Sequence, residues 1–467
     1  MTTASAPAPL TLPAGFRWGT ATSAYQVEGA VSEGGRGRSV WDTFSHTPGL
    51  THQGDTGDVA CDHYHRLDED LDLLADLGVD TYRFSIAWPR LQPTGRGRPE
   101  PRGVAFYDRL IDGLLERQIS PMATLFHWDL PQDLEDRGGW RNRDTVHDFV
   151  TYARYCFDAY GDRVTDWITL NEPICPSLHG TGGYGHAAPG LRLGGPAITS
   201  AHHLLLAHGD AVRAYRNSAA AGRIGITLNF GPVAPASDRA EDLAAAARVD
   251  ALQTRLFADP VLGRGYPDLL VRHWRELTDM GFVQAGDLER IAEPLDFLGV
   301  NYYKSWVARA AGLPPLADRV AMDMGAVLEP PPGVPRTGFG WGVTPDGLRT
   351  LLLDLRHRHP ALPPLFVTEN GCAYPDEVGP DGNVDDPERI AFHDAYLRAL
   401  AEAVDAGVDV RGYTCWSLLD NFEWAAGYSQ RFGLVHVDFP TGRRTPKSSF
   451  GWYRDLISTH RAAGVAA

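Results

Sequence analysis

The chain has 467 residues, of which 43% are hydrophobic and 22% charged, and its formal net charge is −16 at pH 7. This length suits one large α/β domain, such as an eight-stranded barrel with insertions. The acidic balance argues against binding to nucleic acid or to an anionic membrane surface, because both attract basic proteins. Small uncharged ligands are not excluded.

Five scattered cysteines and a polar N-terminal segment indicate the cellular compartment. An odd number of cysteines without paired spacing is typical of neither a disulfide framework nor a metal site. The first fifteen residues have no basic start and no apolar segment, and no later apolar run is long enough to cross a bilayer. We therefore expect reduced thiols and a cytoplasmic protein. The cysteines are Cys61, Cys156, Cys175, Cys372 and Cys415.

Short apolar runs alternate with amphipathic segments along the chain. Residues 1–12 are rich in Pro and Ala and are expected to be disordered. Residues 13–460 are predicted to form one (β/α)₈ TIM barrel with long βα loops, and residues 461–467 a C-terminal tail. The predicted strands are Phe16–Ala21, Thr81–Ala87, Ser120–Phe126, Asp166–Asn171, Arg223–Asn229, Phe297–Asn301, Leu365–Glu369 and Gly412–Ser417.

Helices are predicted where apolar residues recur at helical spacing between these strands. A segment rich in Pro and Gly, residues 311–341, lies between the sixth and seventh strands and is predicted to be one long βα loop. Loops at the carboxyl ends of the strands build the active site in such barrels. The predicted helical segments are 64–78, 103–118, 146–161, 197–217 and 385–407.

Chemically active side chains stand at the carboxyl ends of most predicted strands. Each of them alone has a structural explanation, such as a turn, a helix cap or a buried histidine. Their joint occurrence at successive strand ends predicts one functional site at the barrel mouth. In chain order they are Gln26, Arg83, His127, Trp128, Asn171, Glu172, Asn301, Tyr303, Glu369 and Trp416.

Glu172 in "TLNEP" and Glu369 in "VTENG" each follow an apolar strand. Glycoside hydrolysis requires two such carboxyl groups, one to protonate the leaving oxygen and one to attack or to activate water. We expect Arg83 and Tyr303 to hold one glutamate ionised, and burial beside Trp128 or Trp167 to favour the protonated form of the other. No metal-ligand spacing is present, and the chemistry needs no cofactor.

Nine segments carry a resemblance to glycoside hydrolase family one, the β-glucosidase family, along nearly the whole chain. They are "FRWGTATSAYQVEGA", "SVWDTF", "GDVACDHYHRLDEDLDLLADLGVDTYRFSIAWPR", "LFHWDLP", "TLNEP", "LGVNYY", "VTENG", "WSLLDNFEWAAGYSQRFGL" and "RTPKSSFGWYR". The resemblance implies a (β/α)₈ barrel, retention of anomeric configuration and a cis peptide between Trp416 and Ser417. It also implies that Glu172 is the acid/base and Glu369 the nucleophile, which Arg83 and Tyr303 position.

The resemblance further implies a set of substrate-binding residues. Trp416 is expected to form the floor under the sugar ring and Trp341 to flank the aglycone, although loop packing is an alternative for Trp341. The implied substrate-binding residues are Gln26, His127, Trp128, Asn171, Asn301, Trp341, Trp416, Glu423, Trp424 and Phe432.

The preferred interpretation is a retaining β-glucosidase acting on cello-oligosaccharides or aryl β-glucosides, with no cofactor and no macromolecular partner implied. Glu423 is expected to bind free hydroxyls and to repel a 6-phosphate. A broad β-galactosidase or β-fucosidase remains an alternative, as does a catalytically silent sugar-binding barrel. The sequence does not distinguish a monomer from a homo-oligomer.

Overall fold

A computed structural model describes residues 10–183 and 185–466, with side chains to residue 463. Residues 1–9 of the predicted leader lie outside the described residues, and residues 10–12 have no regular structure. The strands are β1 (Arg17–Ala21), β2 (Thr81–Ser85), β3 (Ser120–Phe126), β4 (Asp166–Asn171), β5 (Arg223–Phe230), β6 (Val233–Pro235), β7 (Phe297–Tyr302), β8 (Trp306–Ala310), β9 (Ala326–Glu329), β10 (Leu365–Asn370), β11 (Val410–Trp416), β12 (Val435–Asp438) and β13 (Arg443–Pro446).

Helices separate the strands and cover the outside of the sheet. The α-helices are α1 (Ala24–Val27), α2 (Val40–Ser45), α3 (Leu67–Leu77), α4 (Trp88–Leu91), α5 (Pro101–Glu116), α6 (Gln132–Glu135), α7 (Asp144–Tyr160), α8 (Gly194–Arg216), α9 (Ala240–Asp250), α10 (Leu256–Val261), α11 (Asp268–His273), α12 (Asp287–Ile291), α13 (Pro345–Arg358), α14 (Pro387–Asp405) and α15 (Ser448–Ala466). No helix in the described ranges has the length and apolar character needed to cross a bilayer.

Eight parallel strands close into a barrel in the order β1-β2-β3-β4-β5-β7-β10-β11, and β11 pairs with β1. This confirms the predicted TIM barrel. The third and fourth strands have the predicted bounds, whereas β2 ends at Ser85, two residues before the predicted Ala87. The chain turns there because Ala87 precedes helix α4, whose second residue is Pro89.

Amphipathic helices pack against the outer face of the barrel. Helix α5 begins after Glu100, whose side chain accepts from the backbone N–H of Arg102, and Pro101 occupies its first turn. Its buried residues, Phe106, Tyr107, Leu110, Ile111 and Leu114, recur at helical spacing. One apolar stripe therefore faces the sheet while the charged residues face water.

The segment 311–341, predicted to be one long loop, contains strand β9. This strand pairs antiparallel with β8, and β8 pairs parallel with β6. The prediction was wrong here, because strands of three to five residues between proline and glycine clusters have no distinct periodicity. The small sheet stands beside the carboxyl ends of β5 and β7, so it becomes a wall of the cleft described below.

Helix α15 continues through Ala466, so residues 461–466 of the predicted tail extend this helix. The helix packs at the amino ends of the barrel strands. Trp18 Nε1 lies 3.2 Å from His460 Nδ1, Tyr453 donates to the carbonyl of Gly19, and Arg461 pairs with Asp80. The opposite end of the barrel, where the strands' carboxyl termini lie, remains open.

Candidate active site

A cleft of about 650 Å³ opens at the carboxyl ends of the barrel strands. It brings together most of the residues that the sequence placed in one site. The predicted residues that line it are His127, Trp128, Glu172, Tyr303, Trp341, Glu369, Trp416, Glu423, Trp424 and Phe432. The predicted residues that lie behind this surface are Gln26, Arg83, Asn171 and Asn301, whose side chains are almost completely buried.

Glu369 is held by a cation and a phenol. Arg83 Nη1 donates to its Oε1 at 2.6 Å, and the Tyr303 hydroxyl donates to its Oε2, also at 2.6 Å. All three residues sit in or next to barrel strands, and Arg83 is 1% exposed. A permanent positive charge and two short hydrogen bonds fix the orientation of the Glu369 carboxyl group.

Glu172, by contrast, is held only by uncharged donors. Asn301 Nδ2 donates to its Oε1 at 2.6 Å, Cys175 Sγ lies 3.3 Å from its Oε2, and Asn229 donates a further hydrogen bond. Burial, together with the negative charge of Glu369, raises the pKa of Glu172 to about 7. A carboxyl group with this pKa keeps its proton near neutrality and can give it up during a reaction.

Asn171 joins the two glutamates through one hydrogen-bond network. Its Oδ1 accepts from Arg83 Nη2 at 2.7 Å and from Asn301 Nδ2 at 3.1 Å, and its Nδ2 lies 3.0 Å from His127 Nε2. Its backbone carbonyl accepts from Trp128 Nε1 at 2.8 Å. The network fixes the relative positions of the carboxyl groups through buried side chains.

A third carboxyl group, that of Glu423, also lines the cleft. Gln26 Nε2 donates to Asn421 Oδ1 at 2.9 Å, to the carbonyl of Phe422 at 3.0 Å and to Glu423 Oε2 at 3.3 Å. Burial and the charges of Glu369 and Glu172 raise the pKa of Glu423 to about 8. Near neutrality this group can both donate to and accept from a hydroxyl group.

Aromatic rings form much of the remaining surface of the cleft. His127 stacks on Trp416 at 6.0 Å and on Trp424 at 5.9 Å between ring centroids. Burial and the nearby charge of Arg83 hold the pKa of His127 well below its usual range, so this ring is neutral. The peptide bond between Trp416 and Ser417 is cis, which confirms the expectation from the resemblance.

Three non-glycine residues of the site have a left-handed backbone. The φ angles are +75° at Trp128, +43° at Glu172 and +51° at Trp424. Such conformations cost of order 1–3 kcal/mol each and persist only where surrounding contacts enforce them. Glu172 turns in this way directly after strand β4 ends, and this turn points its carboxyl group into the cleft.

The sequence missed several residues of the cleft wall. Asn229 ends the predicted fifth strand, so the rule applied to the other strand ends would have found it. Lys304 and Trp306 follow Tyr303 in a segment without a clear pattern, and their place depends on the small sheet. The missed lining residues are Asn229, Phe230, Gly231, Lys304 and Trp306.

A closed α/β barrel with two buried glutamates in one cleft is the architecture of a glycoside hydrolase. The model of glycosyl hydrolase family 1 matches residues 8–462. The chain belongs to this family.

Similar proteins share almost the whole length. The chain is 47% identical to the bifunctional β-D-glucosidase/β-D-fucosidase of Bifidobacterium breve, over 96% of this chain and 99% of the relative. It is 49% identical to the thermostable β-glucosidase B of Thermobispora bispora, over 96% and 91% of the two chains. A solved structure of the β-glucosidase from Thermotoga maritima in complex with glucoimidazole has a TM-score of 0.90 and 41% identity, over 96% of this chain and 99% of that one.

Proposed function

We propose that the protein is a retaining β-glucosidase that removes terminal β-D-glucosyl residues from short β-glucosides. One observation carries the proposal: two buried glutamates line the same cleft in opposite electrostatic surroundings. Glu369 is paired with Arg83, whereas burial raises the pKa of Glu172 to about 7. One carboxylate ready to attack and one carboxylic acid ready to protonate are what double displacement requires.

In the first step Glu369 attacks the anomeric carbon while Glu172 protonates the departing glycosidic oxygen. The bond between carbon and leaving group breaks as the glycosyl ester forms on Glu369. Esterification removes the negative charge of Glu369, one of the causes that raise the pKa of Glu172. The pKa of Glu172 therefore falls, so that it acts as the base for the second step.

In the second step Glu172 takes a proton from water, which attacks the same anomeric carbon and releases Glu369. Two inversions at one carbon give net retention. Asn301 and Asn171 position the groups during both steps, since they join Glu172 to Arg83 through hydrogen bonds. Arg83 and Tyr303 then receive the carboxylate of Glu369 again.

The glucosyl ring is proposed to bind between the stacked aromatic rings and the polar end of the cleft. Trp416 forms the floor under the apolar face of the sugar. Gln26, His127 and Glu423 bind its hydroxyl groups, and Asn171 approaches the 2-hydroxyl, a contact that can strengthen in the transition state. Glu423 offers a 6-phosphate no counter-charge, which disfavours phosphorylated sugars.

Two other substrate preferences remain to be tested. The relative from Bifidobacterium breve carries both β-glucosidase and β-fucosidase in its name, which favours a fucosidase activity as the second candidate, with galactoside hydrolysis beside it. Cello-oligosaccharides are the proposed natural class of substrate and the cytoplasm the proposed location. Both proposals rest on the sequence interpretation above.

The test is kcat/KM for p-nitrophenyl β-glucoside, β-galactoside, β-fucoside and 6-phospho-β-glucoside, measured on the wild type and on Glu369→Gly. We expect the highest kcat/KM for an unphosphorylated glycoside and no activity for Glu369→Gly. Glu377→Gly, an exposed glutamate of the following loop, is the matched control and should retain activity. Proton NMR of the first product should show the β-anomer; an α-anomer would refute retention.

A further inference from the structure

Lys304 is a cation in the cleft that the mechanism above does not use. It directly follows Tyr303, and it lines the same cleft as both glutamates. Its Nζ lies 3.5 Å from the ring centroid of Trp341 and 4.7 Å from that of Trp306. These are cation–π contacts, which hold an ammonium group in place without using a hydrogen-bond acceptor.

Among the residues that the structure describes, no carboxylate is in direct contact with this ammonium group. Within residues 10–183 and 185–466, Lys304 forms neither an ion pair nor a hydrogen bond with a carboxylate. Its side chain is half-buried, so part of its hydration is lost. A partly desolvated cation whose N–H groups have no protein acceptor gains free energy when a ligand supplies a negatively charged oxygen.

The contact with Trp341 associates Lys304 with the leaving-group side of the cleft. Burial lowers the pKa of Lys304 to about 7, and of the three carboxyl groups lining the cleft only that of Glu172 opposes this effect. Glu423 instead lies beside Gln26 and interacts with Glu369 and Glu172. Its Nζ contacts Trp341, which the family resemblance places beside the aglycone, so the contact assigns Lys304 to the leaving-group side.

The surfaces around Lys304 define the chemistry of an aglycone. Trp341 stacks against Phe339 at 4.6 Å with an interplanar angle of 15°, and the ring centroid of Trp306 lies 4.7 Å from the ammonium group. Aromatic walls can pack against another aromatic ring edge to face. Building on the function proposed above, we propose that Lys304 selects β-glucosides whose aglycone is an aromatic ring carrying a carboxylate.

At mildly acidic pH, Lys304 is charged and its titratable neighbours His179 and Glu172 are neutral. His179, whose pKa responds to Lys304, is neutral there because burial lowers its pKa to about 4. Glu172 is protonated before the first step, when the substrate binds, and so does not compete for the ammonium group. Lys304 thus supplies the positive charge that a bound carboxylate meets below about pH 7.

The test compares 4-carboxyphenyl β-glucoside with 4-carbamoylphenyl β-glucoside, which have the same shape but differ in charge. The ratio of their kcat/KM values is measured at pH 6 on wild type, Lys304→Met and Lys304→Arg. We expect the ratio to fall roughly tenfold or more in Lys304→Met, as for the loss of a charge-assisted hydrogen bond. Lys304→Arg keeps the charge and should retain most of the preference.

A pH series gives a second readout. Between pH 6 and pH 8.5 the wild-type ratio should fall as Lys304 loses its proton, whereas the ratio of Lys304→Met should stay constant. Taking the ratio at each pH cancels the titration of Glu172, which affects both substrates alike.

Equal losses of kcat/KM for both substrates in Lys304→Met would overturn the inference, because Lys304 would then act only on Glu172 or on the loop. Hydrolysis of p-nitrophenyl β-glucoside is measured in parallel. A wild-type protein inactive on all three glucosides would refute the proposed function itself, and with it the inference. Activity on p-nitrophenyl β-glucoside without a carboxylate preference refutes the inference alone.

Discussion

The two glutamates differ in the kind of partner that holds them. Arg83 gives Glu369 a permanent counter-charge, whereas Asn301, Asn229 and Cys175 give Glu172 only dipoles. Dipolar donors stabilise a carboxylate less than a full charge does, so burial prevails and the pKa of Glu172 rises. The neutral donors nevertheless limit this rise, which sets the pH range in which the acid works.

We therefore expect kcat/KM for p-nitrophenyl β-glucoside to fall as pH rises through about 7, where Glu172 loses its proton. Asn229→Ala removes a donor that favours the carboxylate form, so the pKa of Glu172 should rise and the alkaline limb should move to higher pH. Asn383→Ala, on an exposed loop, serves as control. A shift of the limb to lower pH in Asn229→Ala would contradict the assigned role.

Within the barrel, neighbouring strands share a hydrogen-bonded chain that reaches the active site. Thr227 on β5 donates to Thr368 on β10 at 3.2 Å, and Thr368 donates to Asn301 on β7 at 2.8 Å. Asn301 in turn donates to Glu172. These interior side chains thus help to orient Glu172. Gly299 on β7 has no side chain and leaves space for Thr227 and Thr368.

Gly299→Ala should destabilise the protein. A Cβ at this position would lie 2.2 Å from Thr227 Oγ1 and 2.9 Å from Thr368 Oγ1. Forcing extra volume into a packed interior costs about 1–3 kcal/mol of unfolding free energy. The measurement is urea unfolding followed by circular dichroism, and an unchanged midpoint would mean that the interior layer can rearrange.

Gly451→Ala is the matched control for this substitution. Gly451 lies within helix α15, and a Cβ there would meet no atom within 4 Å. Alanine is the better helix former by about 0.5–1 kcal/mol. The same chemical change should therefore raise the unfolding free energy at this site while it lowers it at Gly299.

Across the whole molecule, a buried ionic network joins the C-terminal segment to the barrel loops. Lys447 Nζ donates to Asp376 at 2.5 Å and to Asp420 at 2.7 Å. Arg389 also pairs with Asp376, and Arg431 with Asp420. Although burial raises it, the charges of Lys447 and Arg431 hold the pKa of Asp420 below its ordinary value.

Lys447→Met should lower the unfolding free energy by about 3–5 kcal/mol, because two buried carboxylates lose a cation. The depressed pKa of Asp420 contributes stability that is present above the unfolded value of about 4 and is lost as pH falls. The difference in unfolding free energy between the wild type and Lys447→Met should therefore become smaller at acidic pH. Thermal unfolding at pH 7 and at pH 3 measures both effects.

Arg411→Met is the control for the buried lysine. Arg411 pairs with Asp409, but their side chains are 51% and 56% exposed. An exposed pair contributes about 0–1 kcal/mol. A loss in Lys447→Met no larger than this would show that the network reorganises around the missing charge.

The barrel itself could be predicted from the sequence because its strands are buried on both faces and end in polar residues. Ser120–Phe126 and Asp166–Asn171 are mostly apolar and almost wholly buried. The small sheet could not be predicted, since β8 and β9 pair across a segment rich in proline and glycine. Pairing between short strands depends on tertiary contacts that local patterns do not contain.

For the candidate site, the sequence was most informative where a polar side chain stands at the carboxyl end of a predicted barrel strand. Glu172 and Glu369 could be located by this rule alone. The sequence could not indicate that Asn301 would bind Glu172, because the partner of a buried amide depends on side chains from a different strand. The sequence analysis missed Lys304 because no sequence motif marks a single lysine in a loop. Its place in the cleft depends on tertiary contacts with Trp306 and Trp341.

The cleft also has an optical consequence. Of the twelve tryptophans, five line the described cleft: Trp128, Trp306, Trp341, Trp416 and Trp424. Indole emission responds to the polarity and the charges around the ring, and an ammonium group already lies on the face of Trp341. A ligand entering the cleft changes the surroundings of nearly half of the chain's tryptophans, so the protein carries an intrinsic reporter of occupancy that needs no label.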